Sequence, residues 1–203
     1  MQNQLIKIST MSGKLSGIPA INTNTITNPF CVKMSKSKKT ICGQCYSVSM
    51  LKTYRKNCQP AFQHNSDILS DSVLLPQFLP FLNYSFLRIN GHGELINSVH
   101  LENIINICIK NSHCTVALWT KRKDLVAPFI KDNKIPDNLI LVYSNPTIDK
   151  PLSIPPVGFH KVFNNVTQKK YEASENCTGQ KCQECLVCYK KNSGIDVIIE
   201  KVK

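Results

Sequence analysis

The sequence predicts an α/β protein, with a partial (β/α) barrel built on a mostly parallel sheet. From Tyr84 onward, short apolar segments of strand length alternate with longer segments of helical spacing, which is typical of parallel sheets. The strand segments are apolar along most of their length, as strands buried on both faces are. The chain has 203 residues, fewer than the roughly 250 of a complete eight-unit barrel, so we predict an incomplete barrel.

The strands are predicted from short apolar or alternating segments. The predicted strands are residues 4–8, 86–89, 115–119, 138–143, 161–164 and 195–200. Residues 17–29, rich in Asn and Thr, predict a loop or an extended edge. Residues 33–39 predict a basic loop.

The helices are predicted from 3.6-residue spacing and from proline positions. The predicted helices are residues 45–57, 60–75, 95–110 and 123–131, with a short helical piece framed by Pro76 and Pro80. We find no repeat and no domain boundary, so residues 1–203 are predicted to form a single α/β domain.

Composition and terminal sequence narrow the class of protein. Hydrophobic residues make up 42% of the chain, which suits a globular protein, and no run of about 18 apolar residues predicts a membrane helix. The first eight residues lack the basic and apolar regions of a signal peptide. We therefore expect a cytoplasmic protein that does not enter a membrane.

The net charge is +12, from 25 basic and 13 acidic residues. This charge predicts a polyanionic partner, either nucleic acid or an acidic protein. A compositional bias toward lysine is the alternative explanation. Lysines beside negatively charged thiolate clusters would offset charge in the same way.

The ten cysteines are the most informative residues of the chain. In a reducing cytoplasm clustered thiols bind metal or do redox chemistry rather than form disulfides. Four lie near the C-terminus, and three of those form a Cys-x-x-Cys-x-x-Cys run, the spacing used by ferredoxin-type clusters. The predicted metal ligands are Cys31, Cys42, Cys45, Cys177, Cys182, Cys185 and Cys188.

The cysteine count favours iron–sulfur chemistry over zinc. Zinc ribbons pair two Cys-x-x-Cys motifs across a long spacer, and seven clustered thiols exceed one tetrahedral site. We expect one or two [4Fe–4S] clusters, with zinc as the alternative. The C-terminal four could close one cluster and the N-terminal three a second, or one cluster could take ligands from both ends. Cys58 is either a ligand or a packed thiol, and Cys108 and Cys114 are predicted to be buried hydrophobes.

Both cysteine sets follow predicted strands, so we expect them to meet at one end of the sheet, where α/β proteins place their sites.

Arg88, His92 and Glu94 surround two glycines at the end of another strand. Arg88 could bind an anion and Glu94 could act as acid or base, which makes these two the catalytic candidates. The alternative is an Arg88–Glu94 pair that fixes the turn. Thr120 and Lys121 end the next strand and could line the same cofactor-binding cleft.

The order of these motifs resembles that of the phage "gene product 88" domain family. The matching pieces are residues 31, 42–46, 54–55, 88–94, 118–121, 144–146 and 177–189. This sequence has Glu94 where the family has Asp, and Asn90 where His is usual. The resemblance implies a viral origin, and hence location in the host cytoplasm, more than it implies an activity.

At the level of fold, the chain is also similar to radical S-adenosylmethionine enzymes, which join a βα barrel to a cluster after the first strand. Their Cys-x-x-x-Cys-x-x-Cys motif is absent, since ten residues separate Cys31 from Cys42. Three function classes follow. The first is a viral iron–sulfur protein with a structural, electron-transfer or sensing cluster, the second a radical enzyme, and the third a zinc-stapled nucleic-acid-binding protein.

Overall fold

A seven-stranded sheet organises the protein, in a computed structural model that describes residues 5–202. The strands lie side by side in chain order, from β1 to β7. Only β1 and β2 pair antiparallel, and every later neighbour is parallel. The strands are β1 Ile8–Ser9, β2 Ala20–Ile21, β3 Phe86–Ile89, β4 Thr115–Thr120, β5 Leu139–Ser144, β6 Lys161–Val166 and β7 Val197–Lys201. The sheet does not close, which confirms the predicted α/β partial barrel.

Helices occupy most of the connections between strands. The helices are α1 Pro29–Ser35, α2 Tyr46–Lys52, α3 Gln59–Asp71, α4 Ser98–Lys110, α5 Lys123–Asp132 and α6 Cys182–Cys185. The first three lie between β2 and β3, and α6 lies between β6 and β7. No helix within residues 5–202 is long and apolar enough to span a membrane.

The two faces of the sheet bury different cores, because alternate side chains of a strand point to opposite faces. On the outer face, Val116 and Leu118 of β4 pack in a large apolar core with the helices. On the inner face, Ala117 and Trp119 pack in a smaller core that includes Tyr189 from the C-terminal segment. The barrel interior is therefore partly filled by the cysteine-rich end of the chain.

Most predicted elements agree with the structure to within a few residues. The strand at 86–89 is correct, and the helix predicted at 95–110 begins at Ser98 because the Asn97 side chain accepts a hydrogen bond from the His100 N–H and caps it. The first strand, predicted at 4–8, occupies Ile8–Ser9 instead, and Gln4 lies outside the described residues.

Two predictions for the N-terminal region differ from the structure. The basic loop predicted at 33–39 begins as helix α1, because Asn28 caps the helix and Pro29 fits its first turn. Residues 17–29, predicted as a loop or an extended edge, are mostly loop, but they contain β2, which lies inside the sheet between β1 and β3 and is not an edge. Two residues of strand are too short to give an alternating pattern.

Candidate metal and ligand cavity

A cavity of about 550 Å³ opens at the carboxyl end of the parallel strands. Cysteines from both ends of the chain line it, namely Cys31, Cys42, Cys45, Cys177, Cys182 and Cys188. Cys185 does not line the cavity, but its thiol is close enough to act on the pKa of Cys182 and Cys188. All ten cysteines are free thiols.

The N-terminal thiol set, Cys31, Cys42 and Cys45, stands on two short helical segments. Cys31 lies in the first turn of α1, and Cys42 lies in the tight turn Ile41–Gln44. Cys45 is the residue that precedes α2. The turn is held to the β5–β6 connection by a hydrogen bond from the Ile41 N–H to the Pro146 carbonyl, at 2.9 Å.

Asn28 joins this thiol set to the end of β3. Its side-chain oxygen accepts hydrogen bonds from the N–H groups of Phe30 and Cys31, at 3.0 and 3.2 Å. Its side-chain nitrogen donates to the Glu94 carbonyl at 2.9 Å. The backbone of residue 93 lies directly against Thr23, which requires glycine at this position. Gly93 has φ +85°, and a Cβ there would collide with Thr23. The position of Cys31 therefore depends on the turn after β3.

The C-terminal thiol set, Cys177, Cys182, Cys185 and Cys188, is anchored differently. The Cys177 N–H donates to the Ile199 carbonyl of β7 at 3.0 Å. Farther along, Tyr189 packs against Trp119 and Phe86, with both ring-centroid distances at 5.8 Å. Leu186 has φ +53°, which reverses the chain between α6 and Tyr189. Apolar packing thus holds this segment inside the barrel.

Each thiol set has its own cation. Burial raises the thiol pKa of Cys31 and Cys42, and the Lys121 ammonium acts in the opposite direction. Burial likewise raises the pKa of Cys182, and raises that of Cys188 to about 12, while Arg88 acts in the opposite direction on both. These thiols are therefore protonated near neutral pH unless a bound cation replaces the proton.

The predicted ligand residues Arg88 and His92 both line the cavity. The Arg88 guanidinium carbon lies 3.9 Å from the centre of the Trp119 ring, and its buried Nε has no hydrogen-bond partner. The His92 Nδ1 lies 2.7 Å from the Ser47 hydroxyl, and its Nε2 accepts a hydrogen bond from Arg55 at 3.3 Å. Burial, and then the charges of Arg55 and Arg88, lower the pKa of His92 to about 4, so the ring is neutral at pH 7.

Glu94, Thr120 and Lys121 form one hydrogen-bonded group at the ends of β3 and β4. Glu94 lines the cavity and accepts from the Thr120 hydroxyl at 2.5 Å and from the Lys121 N–H at 2.8 Å. The Lys121 ammonium, also in the cavity wall, donates to the Ser144 hydroxyl at 3.1 Å. Thr120 is fully buried behind the wall. Within residues 5–202 Arg88 forms no salt bridge, so the alternative of an Arg88–Glu94 pair that fixes the turn is wrong.

The remaining cysteines lie away from the cavity. Cys58 ends the turn Lys56–Cys58 and does not line the cavity. Cys108 and Cys114 are fully buried in the outer core, which confirms the prediction for both. In the described part of the chain, no three His, Cys, Asp or Glu side chains are arranged to hold one metal ion.

Three further residues of the cavity wall were not predicted as site residues from the sequence: Arg55, Asn90 and Trp119. Arg55 lies after helix α2, far along the chain from β3, and nothing in the local pattern brings it to His92. Asn90 follows β3 with φ +63°, a left-handed conformation uncommon outside glycine. Trp119 was predicted only as part of a strand, although alternation along β4 places it on the inner face.

Comparison with known proteins identifies the family. The family model described as gene product 88 matches residues 7–169, most of the chain, and the chain belongs to this family. The match includes the N-terminal thiol set and the group from Arg88 to Lys121, and it ends before the C-terminal thiol set. No curated protein and no solved structure matches the chain.

Proposed function

We propose that this member of the gene product 88 family is a viral iron–sulfur protein that binds two [4Fe–4S] clusters in its central cavity. Cys177, Cys182, Cys185 and Cys188 would hold one cluster. The N-terminal three, Cys31, Cys42 and Cys45, would hold the other. When bound, such clusters supply one-electron chemistry or cross-link the fold. The function of the protein would then be electron transfer or sensing, or the clusters would stabilise its structure.

One observation supports the proposal most strongly: thiols of both sets, all except Cys185, line one cavity, and each set is next to a separate cation. The charges that act on the Cys42 thiol include Cys45 and Lys121, whereas those that act on Cys188 include Arg88 and the other three C-terminal thiols. Thiols of this kind lose their protons when they bind iron, and Lys121 and Arg88 would balance the resulting negative charge.

The composition of the cavity wall also suits a cluster. Cys182 and Cys188 pack against the core that contains Trp119 and Tyr189, which limits access of water to these two thiols. The unpaired Nε of Arg88 is a donor beside these thiols, and cluster sulfur atoms are acceptors. Lys14, whose side chain bonds to Glu200, is a second cation at Cys177 and Cys182.

The direct test is the iron, sulfide and zinc content of protein purified without oxygen, together with its visible absorption spectrum. We expect a brown protein with equal iron and acid-labile sulfide. Colourless protein with stoichiometric zinc would reject the proposal and favour a zinc-stapled protein. In that case, salt-dependent binding of nucleic acid by the basic chain becomes the next measurement.

A second candidate is an enzyme similar to radical S-adenosylmethionine proteins. The observation that favours it is the count of three thiols in the N-terminal set, because three protein ligands leave one iron of a cubane open to a small molecule. Adding S-adenosylmethionine to reduced protein should then change the electron paramagnetic resonance spectrum of one cluster. An unchanged spectrum would exclude this candidate and leave the first proposal intact.

A further inference from the structure

Arg55 is a positive charge in the cavity wall that pairs with no carboxylate among residues 5–202. Its two terminal nitrogens donate to neutral acceptors, the His92 Nε2 at 3.3 Å and the Ser12 hydroxyl at 2.7 Å. Because arginine can only donate, His92 must carry its proton on Nδ1, which faces the Ser47 hydroxyl. Ser47 in turn lies 2.5 Å from the Thr25 hydroxyl. This buried chain fixes the guanidinium without neutralising it.

The carboxylates that line the cavity are all bonded elsewhere. Glu94 accepts from Thr120, Glu200 pairs with Lys14, and Glu175 accepts from the Lys201 N–H at 3.2 Å. The thiol sets have their own cations, since Lys121 acts on the pKa of Cys31 and Cys42 and Arg88 on that of Cys182 and Cys188. Arg55 is therefore available for an anion that the chain itself does not supply.

Asn90 provides an independent indication of a ligand. Asn90 is 6% exposed and lies in the same wall, and its Oδ1 has no hydrogen-bond partner in the part of the chain that the structure describes. The amide orientation is fixed, because Nδ2 donates to the Trp119 carbonyl at 3.1 Å. Thiolates and cluster sulfides are acceptors and cannot pair with this oxygen. An unpaired buried acceptor in a left-handed residue is costly, and such features concentrate at binding sites.

We infer that the cavity binds a small organic anion, a carboxylate or a phosphate ester, that also carries an N–H or O–H donor. The anionic group pairs with Arg55, and the donor pairs with the Asn90 oxygen. The volume of about 550 Å³ is in the range of small-molecule sites. The inference goes beyond the proposed clusters and does not depend on which metal the thiols bind.

Isothermal titration calorimetry of the anaerobically purified protein tests this site without reference to the metal. The probes are L-serine, which has a carboxylate and an ammonium donor, adenosine 5′-monophosphate, which has a phosphate ester and several donors, and inorganic phosphate. We expect saturable binding of serine or of the nucleotide, and which of them binds separates carboxylate from phosphate chemistry. Inorganic phosphate should bind at least about tenfold more weakly, because it makes fewer contacts with the cavity wall than an organic anion does.

Variants assign the binding to the two residues. Arg55→Gln should weaken binding at least about tenfold and Arg55→Lys less, since the charge is retained. Asn90→Gly, which tolerates the positive φ, should weaken it several-fold. Lys52→Gln, an equal charge change on the exposed side of α2, is the control and should have no effect.

Three results would overturn the inference: no saturable binding of any probe, inorganic phosphate binding as tightly as the nucleotide, or binding unaffected by Arg55→Gln. Because the readout is heat of binding rather than metal content, these outcomes are separate from the failure of the cluster proposal.

Discussion

Thiols of both sets line the same cavity, but different kinds of interaction position the two sets. The N-terminal set is positioned by polar contacts, through the Asn28 side chain and the hydrogen bond of the Ile41 N–H. The C-terminal set rests on apolar contacts of Tyr189 with the inner face of the sheet. The first set lies within the family match and the second lies beyond it.

This difference indicates that the two thiol sets have different functional roles. Hydrogen bonds position groups with directional accuracy, which suits a three-thiol site, where one coordination position of a bound cluster would stay open. Apolar burial excludes water and contributes more to stability, which suits a closed four-thiol site. Arg88 connects the two regions, because it stacks on Trp119 beside the C-terminal set and also acts on the pKa of His92.

The largest expected effect comes from removing the apolar anchor of the C-terminal set. Tyr189→Ala should lower the free energy of unfolding by about 3–5 kcal/mol, because Tyr189 is buried between aromatic rings. It should also reduce metal bound by the C-terminal set and leave the N-terminal set loaded. Urea unfolding and metal analysis measure both.

Tyr189→Phe is the matched control. Among the described residues, the buried Tyr189 hydroxyl has no hydrogen-bond partner, so its removal should change stability by less than about 1 kcal/mol. If the alanine variant were as stable as the wild type, apolar packing would not be the anchor.

Asn28→Ala should affect the N-terminal set instead. The variant loses the cap of α1 and leaves the Glu94 carbonyl without this donor, at a cost of about 1–3 kcal/mol. Metal analysis should show loss from Cys31, Cys42 and Cys45 only. Asn133→Ala, which removes an exposed side-chain bond at the end of α5, is the control. Equal losses from both thiol sets would contradict the separation of the two regions.

Acid should weaken the region around His92. The pKa of His92 is lowered to about 4 in the folded protein, whereas its ordinary value is near 6.5. At pH values between the two, His92 is therefore protonated in the unfolded chain and neutral in the folded chain. The contribution of neutral His92 to the free energy of unfolding is fully present above pH 6.5 and is lost as the pH falls toward 4. Between pH 7 and 5.5 it amounts to about 1 kcal/mol.

The measurement is urea unfolding at both pH values for the wild type and for His92→Gln. The wild type should lose more stability than the variant over this interval, by about the stated amount. His100, whose pKa burial lowers to about 3, contributes in the same direction in both proteins and cancels in the comparison. His113→Gln serves as the control. An identical pH slope in the wild type and His92→Gln would contradict the role given to His92.

The smallest effect is expected for Cys58. Because Cys58 does not line the cavity, Cys58→Ala should leave metal content unchanged and stability within about 1 kcal/mol of the wild type. A loss of iron in this variant would place Cys58 among the ligands and enlarge the N-terminal set.

The elements that could be predicted from the sequence are those that depend on residues close together in the chain. The run from Val116 to Trp119 is apolar on both faces and was predicted as a buried strand, and both cysteine sets were expected at one end of the sheet. Helix α1 could have been predicted too, since Asn28-Pro29 is a helix-start signal, but the lysines that follow suggested a loop.

The rest of the site depends on contacts between distant residues. Arg55 reaches His92 across 37 positions of the chain, and Asn28 reaches Glu94 across 66. No spacing rule covers such pairs, because they arise only when the loops after β2 and β3 interlock. Docking of Tyr189 on Trp119 likewise needs the barrel interior to exist first.

The central claim is that the two thiol sets bind separate clusters. The most direct measurement is iron and acid-labile sulfide per chain in anaerobic wild-type protein and in two triple variants, with circular dichroism as a check on folding. One variant carries serine at residues 31, 42 and 45, the other at 182, 185 and 188. We expect about eight irons in the wild type and about four in each variant. About four irons in the wild type and none in either variant would mean one shared cluster, and zinc without sulfide would mean none.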